Sequence, residues 1–451
     1  MSPLELRASL SLASLFALRM LGLFLILPVF AVHARHIEGG GDRTLVGLAL
    51  GAYGLTQAVL QIPFGMASDR YGRKRVIVFG LLLFAAGSFI AALAGNIHVV
   101  ILGRAVQGAG AISAAITAFA ADITREEHRT KAMAIIGSSI GLMFALSLVA
   151  GPTLYRFIGM GGIFALTGVL SLAAIWLTLA VVPPEPRAVS DPSREVQRAK
   201  LGQVLRDPQL LRLNLGIFTV HVVQMAIFVV VPVALVTHGG LPLSEHWKVY
   251  LPVVIVSFAL MVPPILYAER HGRIKALFIA SIVLLLAVEA GMVFELHDFA
   301  VLVALLVGFF VAFNILEASL PSLVSRLAPA SARGTALGVY NTTQSLGLFV
   351  GGGAGGWLAG HFGDTSVFVF GIALVALWLG VAVGMRVPGK AASRTFPLGG
   401  GADPFALRER LVRVRGVRDA VVVPEEGVAR LTVYPEIFDE RAVRILLEGE
   451  A

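Results

Sequence analysis

Apolar residues run through this chain in long blocks, without the strict alternation of a half-buried strand or the one-sided stripe of a water-soluble helix. A helix that crosses a bilayer needs about 20 mostly apolar residues. Blocks of that length fall near 8–33, 44–67, 75–95, 97–121, 131–156 and 161–183. Six more fall near 211–238, 246–268, 274–294, 298–325, 333–359 and 365–386, so the pattern predicts twelve spans in two sets of six. The first block outruns the apolar core of a signal peptide and lacks a small-residue cleavage site, which makes it a retained span. Between the sets, PPEPRAVSDPSREVQRAKLGQVLRDPQ has the prolines and mixed charges of a linker.

After Arg386 the sequence becomes charged and alternating. SRTFPL, RDAVVVP and ARLTVYP read as strands, and PFALRERLVRVRGV and DERAVRILLEGE as helices. The order βαββα resembles a ferredoxin-like fold without its last strand. The expected organisation is an all-α membrane protein with a small α+β ferredoxin-like C-terminal domain. Its parts are a six-helix half over 1–183, a linker over 184–209, a second six-helix half over 210–386 and a tail domain over 387–451.

Composition agrees: of 451 residues, 57% are hydrophobic and 14% charged, where a soluble chain carries about 25% charged. With no Cys in the chain, disulfides, thiol catalysis and Cys-ligated metals are excluded, and neither a metal nor a cofactor is expected. The formal charge of +8 divides into +7 from residues 1–385 and +1 from the tail. A basic surplus in the apolar part belongs to loops facing anionic lipid, not to a nucleic-acid surface. With the N-terminus inside, nineteen Lys and Arg of the core fall on the cytoplasmic side and four, Arg35, Arg43, Arg156 and Lys248, on the other. The positive-inside rule then places both termini and the linker in the cytoplasm.

The two sets of spans repeat. GMASDRYGRKR and ILYAERHGRIK align Asp69, Arg70, Gly72 and Arg73 with Glu269, Arg270, Gly272 and Arg273 at an offset of 200 residues. RTKAMA and RGTALG follow at an offset of 204, which sets Gly151 opposite Gly355. Parallel six-helix repeats build transporters that bind substrate between their halves.

Gly65, Asp69, Arg70, Gly72, Arg73 and Lys74 resemble the loop signature of the major facilitator superfamily. Arg104, Gln107, Gly108 and Gly110 are similar to that family's fourth-helix motif, and Gly151-Pro152 to its antiporter motif in the fifth helix. The last departs from the family form at Ser147 and Tyr155-Arg156. The resemblance implies a proton-coupled exporter of the drug-efflux type in a bacterial inner membrane. It also implies that Asp69 caps the eleventh helix near Arg333 to Ala336, that Arg73 pairs with Asp122, and that both act as a conformational latch. Helices 1, 4, 7 and 10 then line the cavity.

Ionisable side chains inside a span cost about 2.5–3.5 kcal/mol each on insertion scales, so each one needs a reason. Arg19, Arg104, His221 and Glu317 lie on lining helices and Glu289 on a peripheral one. Glu317 is the first candidate for carrying a proton, since burial moves a carboxyl toward neutrality. His221 is either a second carrier or a hydrogen-bond donor between helices. Arg19 either attracts an anionic substrate or neutralises Glu317, and Arg104 either holds a water or acid or joins a structural pair. Gly151, Pro152, Gly351 and Gly355 are expected to serve helix packing.

The expected function is proton-coupled export of small hydrophobic or cationic compounds by alternating access. The alternatives are import of a small solute such as a sugar, and a ligand sensor signalling through its tail. No Walker sequence or acid pair at catalytic spacing points to an enzyme. The expected partners are a small-molecule substrate, protons and lipid, with a monomer able to self-associate through its tail.

Overall fold

The computed structural model of the protein describes residues 1–185, 201–328, 332–385, 392–398, 403–412, 414–435 and 438–448. Most of the expected linker and the junction between the second half and the tail lie outside them.

The first span is broken in two, α1 (Pro3–Phe24) and α2 (Leu27–His33). Pro28 opens α2, and its missing N–H cannot continue the ladder of α1. The second and third spans are α3 (Arg43–Tyr71) and α4 (Arg73–Ala92). The fourth is again broken, into α5 (Ile97–Ala109) and α6 (Ser113–Ile123). The helix α7 (Glu126–Ala180) has 55 residues, which as one straight rod would run about 80 Å. Gly159, at φ 65° and ψ −175°, interrupts it, so α7 supplies the fifth and sixth spans. The second half holds α8 (Pro208–Thr237), α9 (Trp247–Arg270), α10 (Ile274–Glu295), α11 (Phe299–Leu327), α12 (Arg333–Phe362) and α13 (Asp364–Val383).

Twelve crossings therefore appear at the expected places, although ten helical runs are long and apolar enough to cross by composition. The fifth and sixth spans form one of those runs, and α12 falls short because nine of its 30 residues are glycine. The internal repeat is visible in the backbone. Gly72 joins α3 to α4 at φ 98°, and Gly272, 200 positions later, stands before α10 at φ 67°. Both take the left-handed conformation that a side chain disfavours.

One end of the bundle carries the tail and the Gly72 and Gly272 turns, and we call it the tail face. At the opposite, far face the two halves touch backbone to backbone. A Cβ on Gly47 of α3 would stand 2.1 Å from the carbonyl oxygen of Gly352 in α12, and one on Gly352 would stand 2.5 Å from that of Gly47. One on Gly54 would stand 2.4 Å from that of Ser345. Gly351 and Gly355 face α8 of their own half, where a Cβ would come within 2.3 Å of the Val222 oxygen and 3.1 Å of the Ala226 Cα. Gly151 fits against Leu25 at the break of the first span, at 2.5 Å from its oxygen, with Pro152 beside it inside α7. Toward the tail face a Cβ on Gly334 or Gly338 of α12, or on Gly137 or Gly141 of α7, would meet nothing within 4 Å among the described residues. The halves are thus closed at the far face and splayed at the tail face.

The tail folds as β1 (Ala392–Pro397), α14 (Pro404–Val412), β2 (Val417–Val423), β3 (Val428–Val433) and α15 (Glu440–Glu448). Its sheet is antiparallel in the order β1-β3-β2, the ferredoxin-like arrangement without its fourth strand. Alternate residues Ala429, Leu431 and Val433 of β3 point into a core with Phe396, Leu411 and Val443. The Tyr434 hydroxyl donates to the carbonyl of Arg326 at 3.2 Å, which ties the tail to the end of α11.

Gly352→Val places a branched side chain where no atom fits. We expect it to hold the far face open, raising labelling of a single cysteine introduced there several-fold while the protein still folds. Unchanged labelling would show that the glycine contact does not set the closure.

Candidate functional site

Besides the Glu5–Arg125 pair at the tail face, four groups of polar residues bear on the function. The first surrounds the turn after α3. Arg73 pairs with Asp69 one turn earlier, donates from Nε to Asp122 at the end of α6 at 2.9 Å and from Nη1 to the Ser68 hydroxyl at 2.7 Å. The carboxylate of Glu185, just past α7, accepts from the backbone N–H of Arg73 at 3.0 Å and of Lys74 at 2.6 Å. It caps the start of α4, where free N–H groups and the helix dipole favour an anion. The Lys74 ammonium donates to the Val182 carbonyl at 2.6 Å, and Arg70 lies over the Tyr71 ring. Gly65 leaves α3 close to α6, its Cβ position 3.4 Å from that of Ala114. Every one of these contacts stays within the first half. The start of α12 at Ala332 has no side-chain cap, so Asp69 is held on Arg73 in this conformation and the cross-half cap is not made.

The second group is inside the first half. Arg19 of α1 donates from Nη1 to Ser113, the first residue of α6, at 2.9 Å, and from Nη2 to the Tyr53 hydroxyl. Arg104 of α5 donates to the Gln107 amide oxygen at 2.9 Å and to the carbonyls of Ala49 and Leu50 in α3 at 3.3 and 3.4 Å. Both guanidinium groups flank the Tyr53 ring, 5.7 and 5.1 Å from its centroid, and both residues are 1% exposed. Their bonds are to neutral acceptors, and Arg19 Nε has no partner. The two cations are less than 11 Å apart by those centroid distances. At an effective dielectric of 20 they repel by at least about 1.5 kcal/mol. Arg19 makes its bonds to Ser113 and Tyr53 of its own half and none to Glu317 in this conformation.

The third group is in the second half. Gln344 of α12 donates from Nε2 to Glu317 of α11 at 3.3 Å, and stands 2.8 Å from His221 Nε2 of α8. His221 Nε2 is 3.9 Å from the second Glu317 oxygen, and its Nδ1 faces the Ile217 carbonyl at 3.1 Å. The Glu317 side chain is 31% exposed and that of His221 6%, while Glu317 Oε2 is itself enclosed and has no hydrogen-bond partner. Glu289 is elsewhere: buried in α10, it fills the space over Gly371 of α13, where a Cβ would come within 2.0 Å of its Oε2.

The fourth group joins the halves at the far face. Arg43, the first residue of α3, pairs with Asp364, the first of α13, and donates to the Ala359 carbonyl at 3.3 Å. At 37% and 24% side-chain exposure, such a pair is worth about 0.2–1 kcal/mol. It tightens a closure that the glycine contact makes possible.

The sequence profile of the Major Facilitator Superfamily matches residues 12–268 and 253–424. The chain belongs to the major facilitator superfamily. It is 42% identical over 449 residues to the inner membrane transport protein YajR of Escherichia coli K12, with 98% of each chain covered. It is 28% identical over 346 residues to the multidrug resistance protein MdtH of Aeromonas hydrophila, covering 74% of this chain and 84% of that one. Among solved structures, a bacterial homologue of the human lysosomal transporter Spinster, inward-facing and occupied, matches with a TM-score of 0.66 at 15% identity. That alignment covers 85% of this chain and 96% of the other, and the likeness is one of fold. The chain is accordingly a multi-pass membrane transporter of this superfamily and not an enzyme.

Within the superfamily frame, the fourth-helix motif is a packing device as much as a polar one. Gln107 passes the hydrogen bond of Arg104 on to Ser88 of α4 at 2.7 Å. A Cβ on Gly108 would stand 2.1 Å from the backbone carbonyl oxygen of Tyr53, and one on Gly110 2.3 Å from that of Gly80. Tyr53, Ser113, Glu185 and the Arg43–Asp364 pair are not marked in the sequence: Arg43 there is one loop charge among others, and an aromatic in an apolar span carries no signal until its neighbours are known.

Asp364→Asn should leave the glycine contact in place while removing the ion pair. We expect a modest rise in far-face thiol labelling, smaller than that of Gly352→Val. A larger rise would make the ion pair the dominant element of the seal.

Proposed function

We propose that this superfamily member is a proton-coupled exporter of a bacterial inner membrane, working by alternating access with its tail face in the cytoplasm. The observation that carries the reading is the Glu317 carboxylate. It lies inside the bundle on a neutral amide donor and within 3.9 Å of a histidine, with its Oε2 enclosed and unpartnered. A carboxyl so placed can take a proton in one conformation and release it in another, which is the requirement for exchange. Gln344 on α12 couples its state to the helix that also forms the far-face seam.

Asp69, Arg73 and Asp122 form one side of the latch. When the halves close at the tail face, Asp69 moves to the uncapped start of α12, while Gly65, Arg70, Gly72 and Lys74 shape the turn that carries it. Each such contact is worth about 0.3–2 kcal/mol at a partly wet site, enough to bias a two-state equilibrium without freezing it. The excess of basic residues at the tail face supports its placement in the cytoplasm. The sensor alternative draws on the Tyr434 contact with Arg326, which links the tail to the helix that carries Glu317.

In proteoliposomes, proton movement driven by a compound panel, read with trapped pyranine, should be lost at least tenfold in Glu317→Gln while exchange of the compound for itself persists. Proton movement that survives the substitution would overturn the role of Glu317. Because the chain has no Cys, each introduced thiol is single. A cysteine at Tyr71 or His271 should react with an impermeant maleimide only after cells are opened, and one at Gly41 or His361 in intact cells. The opposite pattern would invert the topology.

A further inference from the structure

Two cations lie side by side inside the first half with no carboxylate to match them. Arg19 and Arg104 flank Tyr53, both are 1% exposed, and their partners are a hydroxyl on each of two helices, an amide and two backbone carbonyls. Neither makes an ion pair among the described residues. A third positive element adds to them: α6 begins at Ser113, in contact with Arg19, and its N-terminus carries no side-chain cap. The Nε of Arg19, fully enclosed, has no acceptor at all. A buried cation is ordinarily paired, and here the pair is missing from the protein itself.

The place of the group in the fold fits a ligand. Arg104 and Tyr53 line a small cavity on the seam between the halves, closed by Leu348 of α12 and Met225 of α8. At about 10 Å³ it has room for one water. It stands at the inner end of the far-face seal, so parting the halves there widens it.

We propose that Arg19, Arg104 and Tyr53 form the binding site for the anionic group of the transported compound, so that the substrate is an amphiphilic organic anion and not a cation. The inference rests on the transport reading above and names its substrate class. A carboxylate, sulfonate or phosphate supplies the negative charge that the two guanidinium groups lack, meeting Arg104 and Tyr53 at the cavity and Arg19 behind them, while the apolar lining takes the rest of the molecule. The planar guanidinium fork suits oxyanions of this kind.

The test uses the purified full chain in detergent, with no proton gradient, so a failure of proton coupling leaves its result untouched. Thermal stabilisation is measured with three probes of one scaffold: 1-naphthalenesulfonate, 1-naphthalenemethanol and 1-naphthylmethylammonium. We expect saturable stabilisation by the sulfonate alone, weakened at least tenfold in apparent affinity in Arg104→Gln and in Arg19→Gln. Should either variant fail to fold, Tyr53→Phe and Arg104→Lys remove the hydroxyl or the planar fork with little change in volume, and each should weaken sulfonate binding several-fold. No response to the sulfonate, an equal or greater response to the other two probes, or sulfonate binding unaltered in the folded variants would overturn the proposal. Stabilisation by chloride over gluconate without any sulfonate effect would also overturn it, since the pair would then hold a resident inorganic ion.

Discussion

At the far face α3 and α12 approach until main chain meets main chain, and the rest of the arrangement depends on that approach. A Cβ at Gly47 or Gly352 would fall well inside van der Waals contact distance of a carbonyl oxygen on the other helix. No bilayer force draws two apolar helices together as water does. Close fit and the hydrogen bonds around it supply the attraction, and only glycine permits the fit. The same two helices carry glycine or small residues to the tail face, where Gly334 and Gly338 meet nothing among the described residues. A seam closed by glycine contacts at one end and free of them at the other is what the proposed alternating access requires.

Against this seam the charged groups divide by location. The Asp69, Arg73 and Asp122 cluster and its Glu185 cap sit at the tail face, inside one half, while the Arg43–Asp364 pair bridges the halves at the far face. Between them lie one acid with its histidine in the second half and two arginines around a tyrosine in the first. Glu5, the other buried acid of the first half, is taken up by Arg125 at the tail face, so the two arginines around Tyr53 are left without a carboxylate among the described residues.

Much of the fold was legible in the sequence, because the cost of exposing a backbone to lipid writes each span as a block of apolar residues. The twelve crossings, the 200-residue repeat and the order of the tail elements all follow from patterns of that kind. Two breaks did not. Leu25–Ile26 and Gly110–Ile112 interrupt apolar blocks without lowering their hydropathy, so the sequence shows each as a single span. Of the polar residues, His221 and Glu317 were expected in the cavity and are found together, joined by Gln344. Arg19 was expected either to neutralise Glu317 or to attract an anion. Its true neighbour, Tyr53, is 34 positions away and on another helix. The glycines of α3 that form the seam were in plain view as Gly47, Gly51 and Gly54, but only the partner helix shows which glycine face crosses between halves and which packs at home.

The central claim is that the two ends of the seam open in alternation, and spin-label distances test it most directly. One pair of labels at Gly41 and His361 reports the far face, and another at Tyr71 and His271 reports the tail face. On lowering the pH, a rocking transporter predicts that the first distance lengthens as the second shortens, each distribution passing between two discrete populations. Distances at both faces that move in the same direction, or a far-face distance that stays fixed while the tail face closes, would contradict the account.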